Sequence, residues 1–299
     1  MPAVDWLLPV LKGVGTKWIS IKVADGVWKY NQVDGSNKKL KEFLRAVSDA
    51  GIEVGGWHWV YPESPGKQGD LAVVLCRELG LKHYLLDVEY NWKKSGLGRS
   101  ANKLLDKLHD GMEAVDVGFC SYRFPNYHRA VPYREFLDHE NMELIVPQLY
   151  WLLAHNPAKQ IRRSLAEYRK ISDKPFIPIG CTFPWGNWEP SVEELKEFVK
   201  EAVSSELKAY GFYSLDKIVE GKRYDWLDAI AGSVQTEPGN KIRIKVDRLN
   251  IRNSPKIADA TDIGNLHKGA VMNVLEKLDP NWYRVEGYVW VRGTERLNG

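Results

Sequence analysis

His83-Tyr84-Leu85-Leu86-Asp87-Val88-Glu89 reads as one buried strand that ends in two acids. Its apolar run is far too short to cross a bilayer but suits a strand covered on both faces. Alternate side chains of a strand share a face, so Asp87 and Glu89 are expected on one side, about 6–7 Å apart. Two carboxyl groups held that close repel, so one of them should keep its proton at higher pH than usual.

Similar runs recur on either side of this stretch. Residues 18–24, 53–60, 116–122, 144–151, 176–182 and 209–215 are short and rich in β-branched or aromatic side chains. Between them, residues 39–50, 70–79, 104–114, 159–170 and 191–204 carry apolar side chains at helical spacing. Ser191 with Glu194 three residues on is a capping box, and Pro190 stands just before it. Strands alternating with helices at this rhythm imply parallel βαβ units, and so an α/β fold, a TIM-type (β/α) barrel. Seven strands are visible, one fewer than a closed barrel requires. Residues 4–12 read as a helix leading straight into 18–24, so the first strand is expected to be absent or rudimentary. No glycine-rich phosphate turn follows an early strand, which speaks against an open dinucleotide-binding sheet.

The pattern changes after residue 232. Residues 233–240 are polar and broken by Pro238 and Gly239, as a linker should be. Beyond them, 241–246, 271–277, 282–285 and 288–291 alternate apolar with polar residues between turn signals. The expected division is a barrel over 1–232, a linker over 233–240 and a small all-β barrel over 241–299.

Composition excludes more than it selects. The chain of 299 residues has 44% hydrophobic and 27% charged residues, ordinary values for a globular protein. A net charge of +3, with no basic patch interleaved with aromatics, gives no support for nucleic-acid binding. Cys76, Cys120 and Cys181 lack paired spacing, so they read as small buried hydrophobes. The seven histidines are dispersed, and no metal site or cofactor is implied. No membrane insertion is expected, and no signal peptide is visible. Twelve tryptophans and fourteen tyrosines exceed what a core of this size needs, and flat aromatic faces suit sugar rings.

At the carboxyl end of a barrel strand, an acid beside a second carboxylate is the equipment of glycoside hydrolysis. Glu89 is assigned as general acid, and Asp87 as the group that orients or charge-stabilises the reacting sugar. A retaining enzyme with a carboxylate nucleophile needs its pair about 5–5.5 Å apart. The wider strand spacing agrees better with participation by the substrate's own acetamido group, while inverting chemistry stays open. Tyr122, Gln148 and Tyr150 offer hydrogen bonds to the sugar. Trp57, Trp59, Trp151 and Trp185 offer stacking faces. Asp25 either helps to set the charge of the pair or caps the turn at Gly26. His58 reads as hydrogen-bonded structure.

Several blocks resemble the family 25 lysozymes among glycoside hydrolases. They are Val4-Asp5-Trp6 through Gly13, Trp18-Ile19-Ser20-Ile21-Lys22-Val23-Ala24-Asp25-Gly26, Gly55-Gly56-Trp57-His58-Trp59, Leu85-Leu86-Asp87-Val88-Glu89 and Gly118-Phe119-Cys120-Ser121-Tyr122. The likeness is clear over residues 4–122. Beyond them Pro147-Gln148-Leu149-Tyr150-Trp151 and Phe212-Tyr213-Ser214-Leu215-Asp216 depart from the family pattern, as does Asp25, where a glutamate is usual. The family's first-strand aspartate has no counterpart. Residues 249–255, 263–269, 282–285 and 287–291 resemble the bacterial SH3-like family.

Together the resemblances imply a lysozyme- or endolysin-type peptidoglycan hydrolase cutting at N-acetylmuramic acid, with bacterial peptidoglycan as partner and an SH3-like anchor. Its place of action would be extracellular or at the cell wall, reached by phage-type release or from a longer precursor. A non-catalytic carbohydrate-binding barrel and a glycosidase of another polysaccharide remain as alternatives.

Overall fold

The computed structural model describes residues 4–233 except 34 and 113, and eight strands beyond them (residues 241–244, 248–252, 262–267, 271–273, 276–279, 282–284, 288–290 and 294–297). The chain separates into two compact units, Met1–Ser233 and Val234–Gly299.

In the first unit the order is α1 (Val4–Gly13), β1 (Trp18–Asp25), β2 (Trp28–Lys29), α2 (Lys38–Asp49), β3 (Glu53–Trp59), α3 (Pro65–Leu79), β4 (His83–Asp87) and α4 (Gly98–Leu105). There follow β5 (Asp116–Tyr122), α5 (Tyr133–Leu137), β6 (Leu144–Gln148), α6 (Pro157–Tyr168), β7 (Ile179–Cys181), α7 (Val192–Ser204), β8 (Gly211–Tyr213), α8 (Leu215–Glu220) and α9 (Tyr224–Ser233). One sheet runs β2-β1-β3-β4-β5-β6-β7-β8. The strands from β1 and β3 through β8 pair in parallel, and β2 is a two-residue antiparallel hairpin arm on β1.

Each parallel strand buries two faces, and the two-residue period sorts its side chains between them. Outward residues such as Ile19, Ile21, Val54, Tyr84, Leu86, Phe119 and Ile145 join the main core with the helices. On α2 the expected stripe of Leu40, Phe43, Leu44 and Val47 is buried. The capping box of α7 is formed: the Glu194 N–H donates to Ser191 Oγ at 3.2 Å, and the Ser191 N–H donates to Glu194 Oε2 at 2.7 Å. Inward residues make a separate cluster of Leu85, Cys120, Leu144, Val146, Ile177 and Ile179, with Trp18, Trp57, Tyr150 and Ala209 against it. This second cluster is the filling of a barrel.

Among the described residues no strand lies between β8 and β1. Side chains span that seam instead. A Cβ on Gly211 of β8 would stand 2.8 Å from the Trp18 indole of β1, and the Trp57 and Tyr213 rings lie 6.3 Å apart. The seven parallel strands expected from the sequence are present among the described residues, and their curled sheet is that of a TIM-type (β/α) fold.

Boundaries differ in places. The strand expected over 83–89 leaves the ladder at Asp87, although the Val88 N–H still donates to the Cys120 carbonyl at 2.8 Å. The helix expected over 104–114 is instead α4 followed by a 3-10 turn at Asp106–Gly111, because the apolar spacing there belongs to two short segments. Helix α3 starts at Pro65, five residues early, where proline suits the first helical turn.

The second unit is all strand where it is described. It has β9 (Lys241–Ile244), β10 (Arg248–Arg252), β11 (Asp262–His267), β12 (Val271–Asn273), β13 (Glu276–Asp279), β14 (Trp282–Arg284), β15 (Tyr288–Trp290) and β16 (Thr294–Leu297). They form antiparallel sheets ordered β11-β10-β15-β14-β13 and β12-β9-β16. The run expected over 271–277 divides into β12 and β13, and β10 and β11 fall on two of the SH3-like blocks. Residues 234–240 of the expected linker, 253–255, 268–269, 285, 287 and 291 lie outside the described residues.

The floor of the barrel supplies a test. Trp18 and His83 meet edge to face at 5.4 Å, and His83 Nδ1 is 2.9 Å from Glu53 Oε1. A Cβ on Gly55 would stand 2.1 Å from this pinned imidazole. Gly55→Ala is therefore expected to destabilise the first unit by about 1–3 kcal/mol in equilibrium denaturation.

Candidate active site

The inward positions nearest the carboxyl ends of the strands converge on Asp87. Trp59 is its register neighbour on β3, and Cys120 its neighbour on β5. Gln148 pairs in register with Tyr122. Its Nε2 passes the thiol of Cys120 at 3.8 Å and donates to Asp87 Oδ1 at 2.8 Å. The Gln148 amide also acts on Glu89, lowering its pKa. A small residue at 120 is what lets an amide on β6 reach a carboxylate two strands away.

Glu89 lies two residues beyond the ladder, half-buried, and begins the 3-10 turn Tyr90–Trp92. Between the acids, Val88 faces the main core and is fully buried. Burial raises the pKa of Asp87 well above the carboxylate range, and the charge of Glu89 raises it further. The Cys120 and Gln148 hydrogen bonds and the Lys22 ammonium oppose that rise only in part. Burial also raises Glu89, against the Gln148 amide and the charge of Lys93. The pair thus retains a proton at a pH where free carboxyl groups are ionised.

Around the acids stand Tyr122, Tyr150 and Tyr213. Tyr122 carries the Lys93 ammonium 4.2 Å from its ring centroid. Tyr150 lies 6.2 Å from Tyr213 and 5.1 Å from Phe183, ring to ring. On the other flank Lys22 reaches over Trp57 at 5.0 Å and Trp59 at 5.5 Å, and its Nζ donates to Asp25 Oδ2 at 2.7 Å. The Tyr61 hydroxyl donates to Asp25 Oδ1 at 3.0 Å. Burial pushes the Asp25 pKa up, but these two partners outweigh it and the net shift is downward.

The structure therefore brings together Asp87, Glu89, Trp57, Trp59, Tyr122, Gln148 and Tyr150, with Asp25 one ion pair away. It does not bring Trp151. That indole is fully buried against Phe198 at 5.3 Å, on the helix side of the sheet. Period two explains the correction: Gln148 and Tyr150 face inward, so Trp151 faces out. His58 is likewise outward, hydrogen-bonded to the Gly26 carbonyl at 2.7 Å and to Tyr84 at 3.0 Å, with burial lowering its pKa to about 4.

Lys22, Tyr61, Lys93 and Tyr213 were not anticipated. The signal for Lys22 was available, since it shares a face with Trp18 and Ser20. Tyr61, Lys93 and Tyr213 emerge only from the closure of the barrel and the loops above it.

Exposed aromatics crowd the same end. Trp28, Tyr30, Tyr90, Tyr127 and Trp185 lie on segments that follow strand ends, and Tyr213 ends β8. Among the described residues no exposed Trp or Tyr lies on a loop that enters a parallel strand.

These features define a (β/α) barrel with a carboxylate pair at the end where such folds collect their catalytic groups. No protein-family model matches the chain, and no curated protein matches it. Solved structures match at the level of fold, glycoside hydrolases among them. The endo-β-1,4-mannanase of Thermotoga petrophila is 9% identical with a TM-score of 0.59, over 98% of this chain and 93% of that one. A GH18 chitinase from the chitin utilization locus of Flavobacterium johnsoniae is 9% identical with a TM-score of 0.52, over 77% and 90%. A GH2 β-galacturonidase from Eisenbergiella tayi is 10% identical with a TM-score of 0.53 over 77% of this chain, which spans 46% of the length of that protein.

The electrostatics generate a stability test. A carboxyl whose folded-state pKa is raised costs stability as pH climbs from the unfolded value through the folded one, and costs nothing below both. Asp87→Asn keeps an acceptor for Gln148 and removes the buried charge. Its melting temperature is expected to exceed wild type near pH 8 and to equal it near pH 3, by thermal denaturation across that range.

Proposed function

We propose that the first unit is a glycoside hydrolase acting on a polysaccharide of 2-acetamido sugars, with peptidoglycan cut at N-acetylmuramic acid as its substrate. The observation that carries this reading is the pair Asp87 and Glu89, both raised by burial, with Gln148 donating to Asp87 at the carboxyl mouth of the barrel.

The chemistry follows from the difference between the two acids. Glu89 is the less buried and stands past the strand end, where a glycosidic oxygen can reach it. Asp87 is the deeper, and Gln148 donates to one of its oxygens. An acetamido N–H directed at the other oxygen stabilises ionised Asp87 and leaves the shared proton on Glu89. The acetamido carbonyl oxygen then bonds to the anomeric carbon as the glycosidic C–O bond breaks, and Glu89 delivers its proton to the leaving oxygen. Water attacks the anomeric carbon in the second step, gives a proton back to Glu89 and releases the acetamido group. The anomeric configuration is retained. Tyr122 and Tyr150 border the reacting ring, and the exposed aromatics at the mouth suit a chain of sugars.

The second unit supports the cell-wall reading. Its strands β10, β11, β14 and β15 coincide with the blocks that resemble SH3-like domains, and such a unit would hold a modestly binding barrel on an insoluble substrate. Against peptidoglycan stand the departures from the family pattern at Pro147-Gln148-Leu149-Tyr150-Trp151 and Phe212-Tyr213-Ser214-Leu215-Asp216, and these favour another polysaccharide as the second reading.

Purified protein incubated with bacterial cell walls and, separately, with chitin tests both. New reducing ends from cell walls are expected, and Glu89→Gln should lower the rate about 10²–10⁴-fold. Wild-type rates in Glu89→Gln would overturn the assignment, and cleavage of chitin alone would establish the second reading. Since burial raises both carboxyls, the pH–rate profile should be bell-shaped. Activity rises as the pair loses its first proton and falls as it loses the second, with the upper limb above the range of an ordinary carboxylate.

A further inference from the structure

Beside the carboxylate cleft, and sharing Tyr213 with it, lies a second concavity of about 560 Å3. Phe183 and Trp185 wall it from the segment after β7, Lys217 from α8, and Arg223 from the turn that follows. Its volume is that of a small-molecule site, about 300–1,000 Å3.

Trp185 is held outward by a tight turn. The Trp185 N–H donates to the Trp188 carbonyl at 2.7 Å, and the Trp188 N–H donates back at 3.0 Å. Gly186 takes the left-handed conformation between them, with φ +59°. Trp188 is buried and anchors the turn, while Trp185 is left 59% exposed. A large indole held outward on a braced turn offers a flat face for stacking.

The charges at the rim are paired. Arg223 meets Glu189 at 2.5 Å and Asp225 at 3.1 Å, and Lys217 meets Glu220 at 2.6 Å. The two cations and two acids of the lining, Lys217, Arg223, Glu189 and Glu220, cancel, so nothing there selects a phosphate or a carboxylate. Donors and acceptors side by side are instead what neighbouring hydroxyl groups require.

We propose that this concavity is a second sugar-binding subsite, taking an uncharged pyranose of the same glycan chain that is cut at Asp87 and Glu89. The ring stacks on Trp185, and its hydroxyls meet the paired charges of Arg223 and Glu189. Tyr213 belongs to both spaces and makes them continuous, so a bound chain would run from the acids toward the segment after β7. The inference rests on the glycosidase reading for the identity of the chain, but it is testable without turnover.

The full chain carrying Glu89→Gln is titrated calorimetrically with the tetramer of N-acetylglucosamine, alone and with Trp185→Ala or Trp185→Phe added. Trp185→Ala is expected to weaken binding about tenfold, and Trp185→Phe to restore most of the loss. In the catalytically intact chain, Trp185→Ala should lower kcat/KM on a glycan polymer about tenfold more than on an aryl 2-acetamido glycoside. No tetramer binding, or equal affinity with and without Trp185, would overturn the subsite. Binding that depends on Trp185 in a chain that cleaves neither cell walls nor chitin would uphold it while removing the catalytic reading. Cleavage with no dependence on Trp185 would do the reverse.

Discussion

A parallel strand inside a barrel has two faces to bury and a period of two with which to do it. Every assignment in the first unit depends on that constraint. On β3 it sends Trp57 and Trp59 into the barrel and His58 toward the helices. Along β6 and just beyond it, Val146, Gln148 and Tyr150 turn inward, and Ile145, Leu149 and Trp151 outward. An inward side chain low in the barrel becomes filling, whereas one at the carboxyl end becomes a site. The same alternation therefore makes the core and presents the chemistry, and Asp87 stands where Leu85 below it ceases to need company.

Asp87 and Glu89 are costly neighbours, and their surroundings relieve that cost only in part. Gln148 gives Asp87 a donor, and Lys22 and Lys93 supply positive charge from opposite flanks. Gln148 succeeds because Cys120, the inward residue between them, is small and apolar. A full neutralising partner, such as an arginine in contact with both acids, would have ionised the pair and left no proton to give. Partial compensation keeps a proton in the cleft.

Much of this was legible in the sequence because it depends on local period. Seven strands, the α2 stripe and the α7 capping box follow from spacing alone, and so does the placement of Asp87. Sequence reading failed where tertiary closure decides. Trp151 looked like a stacking platform because the expected strand ran to 151 without a commitment to which parity faces inward; the neighbouring Gln148 settles that parity only once it is seen to touch Asp87. Helix α4 was misplaced because residues 104–114 hold enough apolar groups for one helix, whereas the chain spends them on a helix end and a 3-10 turn. Lys22 reads as a solvated lysine until Trp57, Trp59 and Tyr30 are folded around it, the last at 4.4 Å.

The seam between β8 and β1 ties these points together. In a closed barrel a strand end would stand there, and the family resemblance would place an acid on it. Among the described residues the seam is instead spanned by rings, with Trp18 against Gly211 and Trp57 against Tyr213. The charged side chain of β1 closest to the acids is then Lys22, whose ammonium acts on Asp87 and is held by Asp25. A cation at this wall favours ionisation of Asp87, where a third carboxylate would oppose it. The roles proposed for the two acids would draw on this cation: Lys22 works against the burial that raises Asp87 and so favours the ionised form that acetamido participation requires.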